Sequence, residues 1–136
     1  MIRKLLSTTL LAAAFLTAAA FFSTVASAAG AVYELRTYTT VDGRLDALVA
    51  RFKDHTVRIF NKHEMESVGY WIPQDKKNTL IYILKHPSRE AADKHWADFQ
   101  GDPEWKKVQG ESEASGKIVD HVDRVWMTPT DFSKLK

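Results

Sequence analysis

Val32-Tyr33-Glu34-Leu35-Arg36-Thr37-Tyr38-Thr39-Thr40 is the stretch on which the reading of this chain turns. Valine, tyrosine and threonine suit a pleated surface, so the stretch reads as a strand. Glu34 and Arg36 are two apart and share one face, while Leu35 and Thr37 share the other. A strand with a charge pair on one side and leucine on the other lies between two different environments.

N-terminal to this strand lies a leader. Arg3 and Lys4 form a positive start, Leu10 to Phe22 an apolar middle, and Ala26-Ser27-Ala28 an A-x-A site with cleavage expected before Ala29. The competing reading is a retained anchor, because no charge occurs between Leu5 and Glu34. Either way the chain is expected to be exported, to the periplasm or beyond, as a leader (1–28) followed by one domain (29–136) with no membrane association after cleavage. The chain has 19 Lys+Arg and 17 Asp+Glu. Setting aside Arg3 and Lys4 leaves the mature part formally balanced. No basic face or basic-aromatic interleaving is present, so nucleic acid is not an expected partner. Cysteine is absent, which excludes both a disulfide and the lipid-modified cysteine of a lipoprotein. A domain of about 108 residues must therefore be held by its core alone.

C-terminal to the strand, Val41-Asp42-Gly43 reads as a turn, with Asp42 as cap of a helix to about Lys62. Leu45, Leu48, Val49, Phe52, Thr56, Ile59 and Phe60 make its apolar stripe. Arg44, Arg51, Asp54, Arg58 and Lys62 fall opposite, with Asp54 and Arg58 spaced as a surface pair. A second strand is expected over about Glu66 to Pro73, where Gly69 predicts that something large, such as an aromatic ring, approaches the backbone. A third covers Thr79 to Lys85; its core Leu80-Ile81-Tyr82-Ile83-Leu84 is apolar on both faces. Ser88 caps a helix to about Gln100, with Ala92, His95, Trp96 and Phe99 buried. Asp102-Pro103-Glu104-Trp105 starts a further turn of helix, Glu111 to Gly116 reads as loop, and Ile118 to Met127 as a last strand on its β-branched content. Phe132 and Leu135 of the irregular tail are expected to dock on a neighbour.

The order strand, helix, strand, strand, helix, strand is the split βαβ pattern, an α+β ferredoxin-like fold with both helices on one face of an antiparallel sheet. The third strand then leaves an apolar row on the uncovered face, which a soluble monomer does not tolerate. A homodimer joined through the open faces into a dimeric α+β barrel is the expected solution.

Tyr33-Glu34-Leu35-Arg36-Thr37-Tyr38, Val68-Gly69-Tyr70-Trp71, Asp102-Pro103-Glu104-Trp105 and Pro129-Thr130-Asp131-Phe132-Ser133, in that order, resemble the NIPSNAP family over nearly all of the mature chain. The resemblance implies the dimeric α+β barrel fold and no settled reaction. Animal members are linked to vesicle transport and mitochondrial signalling, and bacterial members are mostly uncharacterised. Many members have His-Gly where this chain has His63-Glu64, so the turn geometry a glycine supplies is expected to be lost there.

No established catalytic motif, phosphate loop or zinc signature is present, and no cofactor or metal is assigned. His121 and Asp123 share a strand face but read as a surface ion pair for want of a third ligand. Arg36, His63, Trp71, Tyr82, Trp96 and Trp105 are the candidate site. Aromatic walls with one cation and one imidazole suit a small organic ligand bearing negative charge or a carbonyl. Against this, the aromatics serve equally as core, Arg36 as a partner of Glu34, and His63 as the end of its helix. Three functions stay open: a module binding a small ligand or a protein partner, a cofactor-independent oxygenase-type enzyme with His63 as base and Arg36 holding an oxyanion, and a haem protein ligated through His63 or His95.

Overall fold

The computed structural model describes residues 30–136; the leader lies outside them. The domain runs β1 (Val32–Thr40), α1 (Leu45–Arg51), a π-helical segment (Phe52–Thr56), α2 (Val57–Lys62), β2 (Glu66–Trp71), β3 (Thr79–His86), α3 (Arg89–Gly101), α4 (Pro103–Ser112) and β4 (Val119–Met127). The four strands form one antiparallel sheet, ordered β2-β3-β1-β4. This is the ferredoxin-like arrangement, and the sheet is not closed. Among the described residues no helix is long and apolar enough to cross a membrane.

Register fixes the faces. Glu34 pairs with Leu84, Arg36 with Tyr82 and Tyr38 with Leu80, so β1 and β3 present these alternate positions to the helices. Leu80, Tyr82 and Leu84 join Leu48, Phe60 and Phe99 in the core. Leu35, Ile81 and Ile83 point the other way, aligned with Val125 of β4 and Trp71 of β2. There Trp71 is 48% exposed and Val125 50% exposed. The tail bends back to this face, with Leu135 close to Tyr33 and Ile83, whereas Phe132 stands out in solvent at 86% exposure.

Several local expectations hold for their stated reasons. Ser88 accepts from the Ala91 amide at 3.1 Å and Asp102 from the Glu104 amide at 2.8 Å, capping α3 and α4. The Trp71 indole lies over Gly69, where an added Cβ would come within 2.7 Å of the ring. Others need correction. Asp42 does not cap α1; its carboxylate accepts from Asn78 instead. The segment 111–116 is not all loop, because α4 continues to Ser112. A bulge between Ser67 and Gly69 also interrupts the regular pairing of β2 with β3.

The largest departure is in the first helix. Five residues of π-helix widen the turn, and the Thr56 hydroxyl donates to the Arg51 carbonyl at 3.2 Å inside the core. Val49, expected inside, is 37% exposed, and Arg51, expected outside, is buried. Arg58 pairs with Glu104 rather than with Asp54. Nor is the turn after α2 lost for want of glycine: Glu64 itself adopts the left-handed conformation, φ 57°. Amides of Glu64 and Met65 donate to Asn61 and Phe60 carbonyls there, as a glycine-ended helix would arrange them.

Candidate functional site

A cavity of about 470 Å³ opens between the helix-facing side of the sheet and the helices. Its floor is Arg36 and Tyr38 of β1; its walls are Trp96 and Phe99 of α3, Trp105 of α4, and Arg51 beside the π segment. The Arg36 guanidinium lies over the Trp96 ring, 3.9 Å from its centroid, a cation held against an aromatic face. Phe99 packs on Trp105 at 4.5 Å between centroids.

Behind Arg36 is a buried polar cluster. Glu34 is fully buried. Its carboxylate accepts from Trp96 Nε1 at 2.7 Å and from His86 Nε2 at 3.2 Å, and pairs with Arg36 Nε at 3.3 Å. Burial pushes the Glu34 carboxyl up, but the bonds from His86 and Trp96 and the charge of Arg36 together outweigh it and leave it below its ordinary value. The anion is therefore the resident form, and an anion only accepts, which makes His86 the donor. His86, also fully buried, has its Nδ1 3.4 Å from Nδ1 of His95. Burial, then repulsion from His86, pulls His95 below its ordinary value.

Three buried donors at this site lack a well-formed hydrogen bond, although one of them, Arg36 Nε, is ion-paired with Glu34. Among the described residues the Arg36 guanidinium makes no hydrogen bond, and its Nε, the Tyr82 hydroxyl and Arg51 Nε are all buried without one. Tyr82 lies across from Arg36 in the sheet. Burial lifts its phenol well above the usual range, so it keeps its proton. Arg51 pairs with Glu113 at 3.2 Å and sits over Trp105, 5.3 Å from its centroid.

Of the residues singled out from sequence, Arg36, Trp96 and Trp105 meet around the cavity, and Tyr82 stands next to Arg36 in the core. Trp71 is on the opposite face of the sheet. His63 does not line the cavity either. It ends α2, its Nε2 lies 2.7 Å from the Asp102 carboxylate, and Lys62 donates to the same oxygen at 2.7 Å. Those bonds, Lys62 first, hold Asp102 well below the usual carboxylate range, so His63 and Lys62 clamp the end of α2 to the start of α4. His121 contacts Asp120 at 3.2 Å and Asp123 at 3.7 Å on the exposed β4. Sequence reasoning missed Glu34 as the hub, His86, and Arg51. The signal for His86 was available, since it continues the alternation Leu80, Tyr82, Leu84.

The NIPSNAP family model matches residues 33–134. The chain belongs to the NIPSNAP family. This membership agrees with the solved structures that it resembles. A NIPSNAP family protein of unknown function from Agrobacterium tumefaciens is 24% identical, with TM-score 0.69 over 78% of this chain and 94% of that one. A second family protein from the same organism is 16% identical, with TM-score 0.70 over 79% and 100%. SnoaB, a cofactor-independent oxygenase from Streptomyces nogalater, is 15% identical, with TM-score 0.53 over 74% and 94%, a likeness of fold. Among curated proteins none matches the chain.

Proposed function

We propose that this NIPSNAP protein is exported through its first 28 residues and acts as a homodimer. In this reading each subunit binds a small organic molecule bearing a carboxylate or a polarised carbonyl. One observation carries it: an arginine stacked on Trp96 and facing a cavity, whose one ion pair among the described residues, with Glu34, is made through Nε on the side away from its terminal nitrogens. A ligand oxygen at Arg36 would accept charge-assisted hydrogen bonds from its terminal nitrogens. Trp96, Phe99 and Trp105 offer flat apolar surface to the rest of the molecule, the composition of a small-ligand pocket. Arg51 on the cavity wall is paired with Glu113, which also lines the cavity, and Lys117 adds a further cation to the lining, so the charge balance there favours an anion over a neutral ligand. Pairing of two copies is supported by the row of Leu35, Ile81, Ile83 and Val125, which no helix covers and the tail covers only in part.

The test is a panel of aromatic and aliphatic carboxylates titrated into the cleaved protein while tryptophan emission is followed. At least one member should bind saturably, and Arg36→Gln should weaken it roughly 10-fold or more, the loss of one charge-assisted contact. A panel without a single saturable member sinks the proposal. The fold shared with a cofactor-independent oxygenase favours a second reading, in which the bound molecule is also oxidised by dioxygen. Oxygen uptake in the presence of the tightest binder, lost in Arg36→Gln, decides between binding and turnover. Because His63 is tied to Asp102, His63→Ala is expected to lower the melting temperature and to leave ligand affinity unchanged.

A further inference from the structure

Behind the ligand anchor, a row of titratable groups runs to the surface. Arg36 meets Glu34 at 3.3 Å, Glu34 meets His86 at 3.2 Å, and His86 meets His95 at 3.4 Å. His95 Nε2 then lies 3.9 Å from the carboxylate of Glu64, whose side chain is 87% exposed. Two features set this row apart from ordinary core polarity. Two imidazoles, one fully and one nearly buried, stand nitrogen to nitrogen, close enough for one N–H to bridge them, so that their protonation is coupled. The outer end is a glutamate in the left-handed conformation at φ 57°, where glycine or asparagine would sit without strain.

We propose that Glu34, His86, His95 and Glu64 form a proton path from solvent to the back of Arg36, so that engagement of Arg36 by an anion is coupled to uptake of one proton by the histidine pair. The coupling extends the ligand reading of the cavity and rests on it for its biological use. In the resting state His86 Nε2–H donates to the Glu34 carboxylate, and His86 Nδ1 accepts from His95 Nδ1–H, which leaves the His95 Nε2 lone pair outermost. A proton arriving from water at that lone pair is held near the Glu64 carboxylate. The His95 Nδ1 proton then passes to His86 Nδ1. One proton has been gained, His95 is neutral again, and the positive charge rests on His86 against Glu34. Such uptake matters when an anion occupies Arg36, because Glu34 then shares its counter-charge with the ligand and is left a buried, under-compensated carboxylate. The charge on His86 restores the balance.

Carboxylates at both ends of the pair favour proton uptake, and Arg89 and Lys94 oppose it. His86 faces Glu34 from β1, His95 from α3 and the Trp126 ring from β4, with Arg89 stacked 3.8 Å from that ring. His95 faces Glu64 from the turn after α2, and its helix neighbours Lys94 and Asp98 pair with each other at 2.5 Å.

The coupling can be read without any ligand, since Arg36→Gln removes the charge that an anion would neutralise. Histidine ring signals are followed by NMR from pH 4 to 8 in wild type, Arg36→Gln and Glu64→Gln. Proton uptake by the pair should move up by roughly one pH unit in Arg36→Gln, as expected when a cation within about 4–6 Å of the cluster is lost. It should move down in Glu64→Gln, which loses the outer carboxylate. Titration unchanged from wild type in Arg36→Gln overturns the proposal. Should Arg36→Gln fail to fold, the surface variant decides, and an unshifted His95 in Glu64→Gln overturns it. A shifted titration together with a silent carboxylate panel would retain the coupling and refute the ligand reading alone.

Discussion

The two faces of one sheet solve opposite problems. On the helix side, β1 and β3 bury a carboxylate, an arginine and a histidine among aromatic rings, and each charge is compensated by a neighbour two residues or one strand away. On the open side the same strands carry Leu35, Ile81 and Ile83, with no helix to cover them and with charge only at the strand end, where Lys85 is in register with Glu66. Burial on the first face is specific and polar; on the second it is apolar and incomplete. Strand geometry alone separates them, because a period of two sends neighbours in sequence into different chemistry. A buried polar group costs free energy for every partner it lacks, whereas an apolar row needs only to leave water.

That contrast is open to attack at four points. Glu34→Ala should be the most damaging, costing about 3–5 kcal/mol in urea unfolding, because it strands the Arg36 charge and unpairs Trp96 and His86. A loss below about 1 kcal/mol would mean that the polar cluster is incidental to the fold. On the other face, Ile83→Asp should leave the monomer folded and abolish association, with at least a 100-fold rise in the dimer dissociation constant, about 3 kcal/mol, by sedimentation. An unaltered oligomeric state would show that the apolar row is not the interface. Asp102→Ala removes the cap of α4 and its clamp on α2; a fall of about 2 kcal/mol is expected. Smallest is Gly69→Ala, about 1 kcal/mol, because the new methyl meets the Trp71 ring, which can swing away into solvent.

Acid should separate the faces further. His95 lies below its ordinary value in the fold, so the unfolded chain binds more protons than the native one as pH falls through about 6.5, the free imidazole value, and stability declines from there. Glu34 and Asp102 are also held below their ordinary values. Their contribution is present above about 4, the free carboxylate range, and is lost below it. Substitutions on the open face should leave this profile unchanged.

Much of this was legible in residue order. Alternation in Glu34–Arg36 and in Leu80–Leu84 assigned the two faces, Ser88 and Asp102 announced their caps, and Gly69 foretold the ring above it. Arg51 was misassigned because a 3.6-residue period was extended through a segment that does not keep it. Leu48, Phe52, Thr56 and Phe60 are spaced by three successive steps of four, which drift around an ordinary helix but stay on one side when a π turn is inserted. His63 was overvalued for a similar reason: its place on the apolar stripe gave a direction and no partner, and Asp102, far along the chain, supplies that partner.

Residue order by itself determined the strand and helix sequence, the side of the sheet on which each β1 and β3 residue lies, and family membership, since these depend on short periods and local caps. Only the tertiary structure decided that Glu34 rather than His63 is the polar centre, that Arg51 faces inward, and that Trp71 and Trp96 lie on opposite sides of the sheet. Those outcomes rest on hydrogen bonds and packing between elements distant in the chain and, for Arg51, on the wider turn of the π segment that follows it.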